Sequence, residues 1–378
     1  MKNQITFTID GKEFYVPEDY QQHENFTVIS IPENYQVEWD NQEDPVQNII
    51  YTMNKNAKDF LLIDKSVAKL YFEDLSFAEG RSIIIESVEN IKNIYTALDI
   101  IEQLEKIEFT KTDTLIVVGG GIIQDLGAFV AACFKRGINW IFYPTTLLAM
   151  CDSCIGGKTG LNHNREKNQV ALFSAPAKVI LNINFLKTLT ASEIRSGLGE
   201  IYKLCIIGGE TFFEIYEKLV IDGAVYNIAD LKKLILAALY VKKAVIEEDE
   251  FEENHRKSLN YGHTFGHAFE ILTDYKIPHG QAVALGAVIA NKISLDQGLI
   301  NQDLYQCLKK YAFELVDISL VKTISTENLA KIVKKDKKVL NAEVSLVLIK
   351  KLGNIVFVKM LVDESINLLV NKIITKEF

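Results

Sequence analysis

No stretch of the 378-residue sequence holds about 18 consecutive apolar residues, so a membrane-spanning helix is not expected. The opening "MKNQITFTIDGKEF" lacks an apolar core after Lys2, which excludes a secretory signal of the usual kind and makes the cytoplasm the expected location. Positive charge is in deficit: 41 Lys and Arg against 50 Asp and Glu give a formal net charge of -9. A general affinity for nucleic acid is therefore not expected, although a local basic pocket for a small anion is compatible with that balance. The five cysteines are odd in number and scattered, which argues against a disulfide framework. Only Cys151 and Cys154 have CxxC spacing, without a second pair or a thioredoxin-like context, so they read as small buried thiols beside a loop. No internal repeat is visible.

What is present divides into two patterns. Residues 1–58 alternate apolar and polar positions ("ITFTIDGKEFYV", "FTVISI") and read as short strands with polar connections. "FLLIDKSV" ends a short apolar strand at Asp64, and "VENIKNIYTALDIIEQLEKI" follows with helical spacing. "DTLIVVGGGIIQDLGAFVAACF" is a strand, a glycine triplet and an apolar helix, and "INWIFYPTTLLAM" repeats the strand-to-turn pattern. Alternation of strand and helix predicts a parallel sheet with helices on its faces. From about residue 185 the periodicity becomes helical, apart from "EVSLVLIKKLGNIVFVKM", which predicts a small hairpin around Gly353. The expected architecture is an α/β nucleotide-binding domain over residues 1–184, with an atypical strand-rich start at 1–58, and an α-helical domain over 185–378. Function is expected in the cleft that such a pair of domains makes.

Gly119, Gly120 and Gly121 lie where a strand turns into a helix, a place where backbone can approach a pyrophosphate. The spacing is not G-x-G-x-x-G, and a tight turn without ligand fits the triplet equally well. "DSCIGGKTGLNHNREKNQ" sets Asp152, Lys158, Asn162, Arg165, Lys167 and Asn168 among glycines; such a loop either cradles a phosphate or is simply solvated. It is not a Walker A loop. Glu200 and Lys203 are three apart on one face of a helix rich in apolar and small residues, so the pair points inward more plausibly than a surface ion pair would. Histidine is scarce, yet three of the six cluster as His263, His267 and His279. A metal that keeps a position open for substrate needs three protein ligands of His, Glu or Asp type. Glu200, His263 and His279 supply that set, with His267 one helical turn from His263.

Taken in order, the blocks "GGGIIQD", "KRG", "PTTLLAMCDSCIGGKTGLNH", "KNQVALF", "LKTLTASEIRSGLGEIYK", "LNYGHTFGHAFE", "HGQAVA" and "KDKKVLNAEVSLVL" closely resemble the 3-dehydroquinate synthase family of sugar phosphate cyclases. The resemblance runs from about Ile83 to Val358. It implies an N-terminal Rossmann-like parallel-sheet domain that binds NAD, a C-terminal α-helical domain that binds one divalent metal (Zn2+ or Co2+), and a homodimer acting on a phosphorylated keto-sugar. By the resemblance, Asp64, Glu89 and Lys92 hold the ribose and adenine side of NAD. Gly119, Gly120, Gly121 and Asp125 take its pyrophosphate and nicotinamide region, with Thr145, Thr146 and Thr188 and contributions from Asp152, Lys158 and Lys167. Glu200, His263 and His279 match the metal ligands.

The resemblance also implies a substrate pocket of Arg136, Asp152, Lys158, Lys167, Asn168, Lys203, Lys243, Arg256, Asn260 and Lys337 or Lys338, with Arg136 donated across the dimer interface. Lys158, Lys203, Lys243, Arg256, Asn260 and His267 fall at catalytic positions, His267 and Asn260 as proton-handling groups. The implied chemistry is transient oxidation by NAD, β-elimination of phosphate, re-reduction and intramolecular aldol closure. Asn260, His267 and the "GGKTG" loop favour the shikimate-pathway reaction over cyclases acting on sedoheptulose 7-phosphate or glucose 6-phosphate; the amino variant of the shikimate-type reaction remains an alternative. A polyol dehydrogenase that stops at the ketone would not need Arg136, Lys158 and Lys167. Gln124 stands where "GGGVxGD" has glycine, and Gln281 where "HGEAVA" has glutamate, so the resemblance is to a divergent member of the family, compatible with a specialised pathway.

Overall fold

A computed structural model describes residues 4–31, 33–164, 166–321, 339–340, 343–361 and 372–377. Strands β1 (Gln4–Ile9) and β2 (Lys12–Pro17) open the chain as an antiparallel hairpin. Its two-residue turn is Asp10-Gly11, with φ of 49° and 83°. Positive φ at both central positions matches the right-handed strand twist, which is why Asp-Gly serves there.

Residues 22–190 form one compact unit. It contains β3 (Phe26–Val28), β4 (Tyr35–Trp39), α1 (Gln47–Met53), β5 (Phe60–Asp64), α2 (Lys65–Tyr71), β6 (Ser82–Ile85) and α3 (Ile94–Lys106). β7 (Thr114–Gly119), α4 (Gly121–Cys133), β8 (Asn139–Pro144), β9 (Lys158–His163), β10 (Glu166–Phe173) and β11 (Lys178–Leu181) complete it. Seven strands make a sheet of order β3-β4-β11-β8-β7-β5-β6, parallel throughout except for β3 against β4. β5 and β7 are almost wholly buried, as the inner strands of a sheet covered on both faces must be. From β5 the chain moves outward to β6; from β7 it moves the opposite way through β8 to β11. The carboxyl ends of β5 and β7, Asp64 and Gly119, therefore flank the topological switch point, where open α/β sheets bind their ligands.

The segment read from sequence as a glycine-rich loop is instead a β-hairpin, β9 against β10, entered through Gly156 and Gly157 at φ of 95° and 63°. Its register shifts between Glu166 and Val170, and within that bulge Asn168 takes φ of 53°. Cys151 and Cys154 are buried thiols, not joined in a disulfide, in the turn before it, and they donate to the Leu148 and Met150 carbonyls.

The second unit joins the described parts of 1–21 and 191–378. Its longer helices are α5 (Ala191–Gly208), α6 (Glu210–Leu219), α7 (Ile228–Glu248), α8 (His263–Leu272), α9 (His279–Asp296) and α10 (Gln302–Glu314). It also carries a five-stranded sheet of order β12-β13-β14-β1-β2, with β12 (Val339–Leu340), β13 (Glu343–Lys351) and β14 (Asn354–Leu361). The hairpin expected at Gly353 is present, that residue turning at φ of 71°. This division differs from one at residue 184 in two respects. The turn Ile183–Thr188 stays with the α/β unit, where Tyr71 Oη lies 2.8 Å from Thr188 Oγ1 and 2.9 Å from the Phe185 carbonyl. And the opening hairpin joins the helical unit, because β1 runs parallel to β14 with Ile9 opposite Ile355. Among the described residues no helix is long and apolar enough to cross a membrane.

Candidate active site

Three helices of the second unit bring the expected metal set together. Glu200 lies mid-way along α5 and is fully buried. His263 and His279 are the first residues of α8 and α9, after Gly262 at φ of 80° and after Pro278. The close approach depends on glycines beside the ligands. A Cβ on Gly199 would stand 2.0 Å from the Gly280 carbonyl oxygen, and one on Gly280 would stand 1.7 Å from that of Ser196. No larger residue lets α5 and α9 approach so closely, and these glycines are the chain neighbours of Glu200 and His279.

Glu200 Oε1 is 3.3 Å from His279 Nε2 and 3.7 Å from His263 Nε2. The other ring nitrogens face acceptors: His263 Nδ1 is 3.2 Å from the Tyr261 carbonyl oxygen, and His279 Nδ1 is 3.0 Å from Glu270 Oε2. A carbonyl oxygen can only accept, so His263 Nδ1 carries the proton and its Nε2 lone pair is left for a metal. Glu200 Oε1 is buried and receives no well-formed hydrogen bond from any described residue. A buried carboxylate oxygen with two imidazole nitrogens on it fits a divalent ion bound by three protein ligands with a position left open. His267, Glu270 and His279 also have ligand atoms within 4.8 Å of one another. His267 is exposed and Glu270 already faces His279 Nδ1, so the Glu200 set is the better metal position.

Electrostatics follow from burial and neighbours. Burial alone would raise the Glu200 carboxyl, but the Lys203 ammonium paired with it, and His279, hold it well below the usual carboxylate range. Burial disfavours a charged His279, yet Glu270 and then Glu200 push that imidazole up to about 10. In the metal-free protein the protonated ring therefore adds stability that is complete below an ordinary histidine pKa near 6.5 and is lost as pH rises through about 10. An imidazolium has no lone pair to give, so metal uptake must displace this proton. Calorimetric titration of metal-free protein with zinc at pH 7, in buffers of different ionisation enthalpy, is expected to show about one proton released per ion. No release would mean that the His279 ring is already neutral before the ion binds, against the charge that Glu270 and Glu200 favour.

The remaining expected residues of this unit have partners of their own. Lys203 is buried against Glu200. Lys243 pairs with Glu247 at 2.7 Å one helical turn away. Arg256 is buried, its guanidinium donating to the Glu250 carbonyl and its backbone N–H to Asp249 at 2.9 Å. Asn260 donates to Glu252 Oε1 at 2.5 Å and ends the turn His255–Asn260 that leads into α8. The His267 ring centroid is 5.4 Å from that of His263 and 5.8 Å from that of His279. Lys337 and Lys338 lie outside the described residues.

In the α/β unit the expected nucleotide residues form a second constellation. Asp64 caps α2 by accepting from the Ser66 and Val67 N–H groups at 2.6 and 3.1 Å, and it also accepts from Ser87 Oγ. Lys92 is buried and donates to Asp125 Oδ2 at 2.8 Å and to Asn168 Oδ1 at 2.7 Å. Glu89 accepts from Asn162 at 2.7 Å and faces Lys167 at 3.8 Å. The bulge at Asn168 thus turns an amide towards Lys92. Gly119 and Gly120 sit under Ile123 and Thr146, where a Cβ would come to 2.7 and 3.0 Å; Gly121 has room for one. Thr145 donates its N–H to the Gly119 carbonyl at 3.0 Å. Asp152 is half-buried, while Lys158 and Arg136 are exposed, Arg136 on the turn Phe134–Arg136 at φ of 61°. Removing Lys92 would leave the half-buried Asp125 without its cation. Lys92→Met is accordingly expected to cost about 3 kcal/mol in denaturant-unfolding stability and to weaken nucleotide binding; unchanged unfolding would mean that the pair contributes nothing.

Two observations were not anticipated. Glu270 escaped notice because it stands in an apolar helical run, although its place three residues after His267 puts it on the ligand face. The two glutamines at divergent positions both have defined partners. Gln124 donates to the Ser153 carbonyl and accepts from Ser153 Oγ, both at 2.6 Å, and Gln281 donates to the Ser192 carbonyl at 3.0 Å.

Comparison with known proteins decides the family. Residues 82–196 match the model of the 3-dehydroquinate synthase N-terminal part and residues 197–339 that of its C-terminal part. The chain is 38% identical over 352 residues to a 3-dehydroquinate synthase of Pelagibacter ubique (strain HTCC1062), covering 87% of this chain and 94% of that one. The chain belongs to the 3-dehydroquinate synthase family. The family fold extends to solved relatives of lower identity. A 2-deoxy-scyllo-inosose synthase complexed with carbaglucose-6-phosphate, NAD+ and Co2+ superposes with a TM-score of 0.79 at 20% identity, over 93% of this chain and 99% of the other. A 2-epi-5-epi-valiolone synthase from Streptomyces hygroscopicus subsp. jinggangensis 5008, with NAD+ and Zn2+ bound, gives 0.70 at 20% identity, over 93% and 100%. These two likenesses concern the fold.

Proposed function

We propose that the chain is an NAD- and divalent-metal-dependent sugar phosphate cyclase of 3-dehydroquinate synthase type, converting 3-deoxy-D-arabino-heptulosonate 7-phosphate to 3-dehydroquinate and phosphate. The observation that carries the reading is the convergence of Glu200, His263 and His279, with their rings oriented by Tyr261 and Glu270, in a chain of this family. When bound, NAD and the divalent ion supply reversible hydride transfer and polarisation of the oxygen being oxidised, which acidify the adjacent C–H for loss of phosphate.

The chain's own residues hold and steer these partners. Glu200, His263 and His279 hold the ion, and Lys203 keeps the Glu200 carboxylate ionised. Asp64, Glu89 and Lys92 take the adenosine side of NAD. Gly119, Gly120, Gly121 and Asp125, with Thr145, Thr146 and Thr188, take its pyrophosphate and nicotinamide side. Arg136, Lys158 and Lys167 offer cations to the substrate phosphate, and Asp152, Asn168 and Lys337 or Lys338 line its polar groups. Lys203, Lys243 and Arg256 place positive charge where carboxylate and enolate charge develop. His267, exposed beside the ligand rings, moves protons at Nδ1 or Nε2 together with Asn260. The protein acts in the cytoplasm as a homodimer in which Arg136 crosses to the neighbouring subunit.

Phosphate release measured across 3-deoxy-D-arabino-heptulosonate 7-phosphate, its amino analogue, sedoheptulose 7-phosphate and glucose 6-phosphate tests the substrate. The first is expected to exceed sedoheptulose 7-phosphate and glucose 6-phosphate by about a hundredfold or more in kcat/KM, since a pocket built to pair a carboxylate leaves buried cations unmatched by substrates without one. The amino analogue shares that carboxylate and is separated by its amino group. A higher kcat/KM for any other member of the set reassigns the substrate.

A further inference from the structure

We infer that Glu270 is a positioning residue for the metal centre, fixing the ring orientation and tautomer of His279; this rests on the ligand set proposed above. Glu270 is itself no part of that set. It lies on α8 seven residues after His263 and three after His267, so all three side chains share one helix face. Its carboxylate is buried, with 4% of the residue exposed, in a helix whose other side chains, apart from His263 and His267, are apolar or small. A buried carboxylate is costly unless it is paired, and Glu270 meets His279 Nδ1 at 3.0 Å.

The geometry assigns the two nitrogens of His279 to two carboxylates. Nδ1 faces Glu270 Oε2, and Nε2 faces Glu200 Oε1 at 3.3 Å. A neutral ring that donates Nδ1–H to Glu270 presents the Nε2 lone pair to the position Glu200 also faces. The opposite tautomer would set the Nδ1 lone pair against a lone pair of Glu270 Oε2 and turn a proton on the ion. Charge on Glu270 also makes the ring a stronger donor to a cation, as a carboxylate behind a metal-bound imidazole does generally. His263 has a weaker arrangement of the same sense, its Nδ1 on the neutral Tyr261 carbonyl. Of the two histidines, His279 is thus the one whose ligand strength is set by a side chain and can be changed by substitution.

The test measures zinc affinity of the full-length, metal-free protein by competition with a chromogenic chelator, and the absorption spectrum of the cobalt-loaded form. Glu270→Gln keeps the size and an acceptor oxygen but removes the charge; Glu270→Ala removes the partner. The expected losses of zinc affinity are about tenfold for Glu270→Gln and up to about a hundredfold for Glu270→Ala. The cobalt bands of Glu270→Gln are expected to shift while the metal-free protein keeps its far-ultraviolet circular dichroism. Should Glu270→Ala fail to fold, the near-isosteric Glu270→Gln decides by itself. Zinc affinity within twofold of the parent and an unmoved cobalt spectrum in Glu270→Gln would overturn the inference. His263→Ala, measured alongside, separates the two readings: loss of zinc there with full affinity in Glu270→Gln rejects the positioning role alone, whereas retained zinc in His263→Ala rejects the ligand set itself.

Discussion

His263→Ala will purify without stoichiometric metal and will turn over at least about a thousandfold more slowly than the parent chain, and added zinc or cobalt will not restore it. The size follows from what is removed. Polarising the reacting oxygen is worth several kcal/mol of transition-state stabilisation, and about 4 kcal/mol is a factor of about a thousand. With His263 gone, Glu200 Oε1 faces only one imidazole, at 3.3 Å, and a two-ligand set does not hold a divalent ion in water. Metal content by plasma emission spectrometry after dialysis checks the first half of the expectation, and a phosphate-release assay the second. Chelation of the unaltered chain with EDTA should reproduce the loss, and zinc or cobalt should reverse it. A metal-free His263→Ala protein with full activity would remove the metal from the chemistry.

His267→Ala will behave oppositely: metal retained, turnover lost. The ring is exposed, and its centroid lies 5.4 Å from His263 and 5.8 Å from His279, close to the ligands without facing Glu200. Losing a positioned proton-transfer group costs about a hundredfold to ten-thousandfold in kcat. Zinc affinity should stay within about threefold of the parent value, because none of the three proposed ligands is touched. His267 also belongs to the overlapping set with Glu270 and His279, so this variant distinguishes the two metal positions. Equal loss of metal in His263→Ala and His267→Ala would show that the ion sits among the three imidazoles and that the division between ligand and proton carrier is wrong.

Much of this was legible in the residues because the patterns are local. The buried strands β5 and β7 are continuous apolar runs followed by turn-forming residues, and the helices after 190 keep their 3.6-residue period over several turns. His263 and His267 could be placed on one face from spacing alone. Glu200 and His279 could be joined to them because three-ligand metal chemistry demands such residues. The misses are contacts that a local pattern does not encode. β1 pairs with β14 across nearly the whole length of the chain, so no window of sequence shows that the opening hairpin belongs to the helical unit. The β9–β10 hairpin hid behind its glycines and charges, since only Leu161 among its inward residues is a large, fully buried apolar side chain. Glu270 was hidden by the opposite circumstance, a single carboxylate in an apolar helix whose meaning depends on a ring from the next helix. The approach of α5 to α9 rests on Gly199 and Gly280, residues that carry no chemistry of their own.

The central claim is that oxidation and reduction cancel within one turnover, and one reaction trace addresses it. Purified, metal-loaded protein is mixed with NAD and 3-deoxy-D-arabino-heptulosonate 7-phosphate while inorganic phosphate and absorbance at the NADH band are followed together. The account predicts one phosphate released per substrate consumed with no net accumulation of NADH. Steady accumulation of NADH without phosphate would contradict it and identify a dehydrogenase that stops at the ketone.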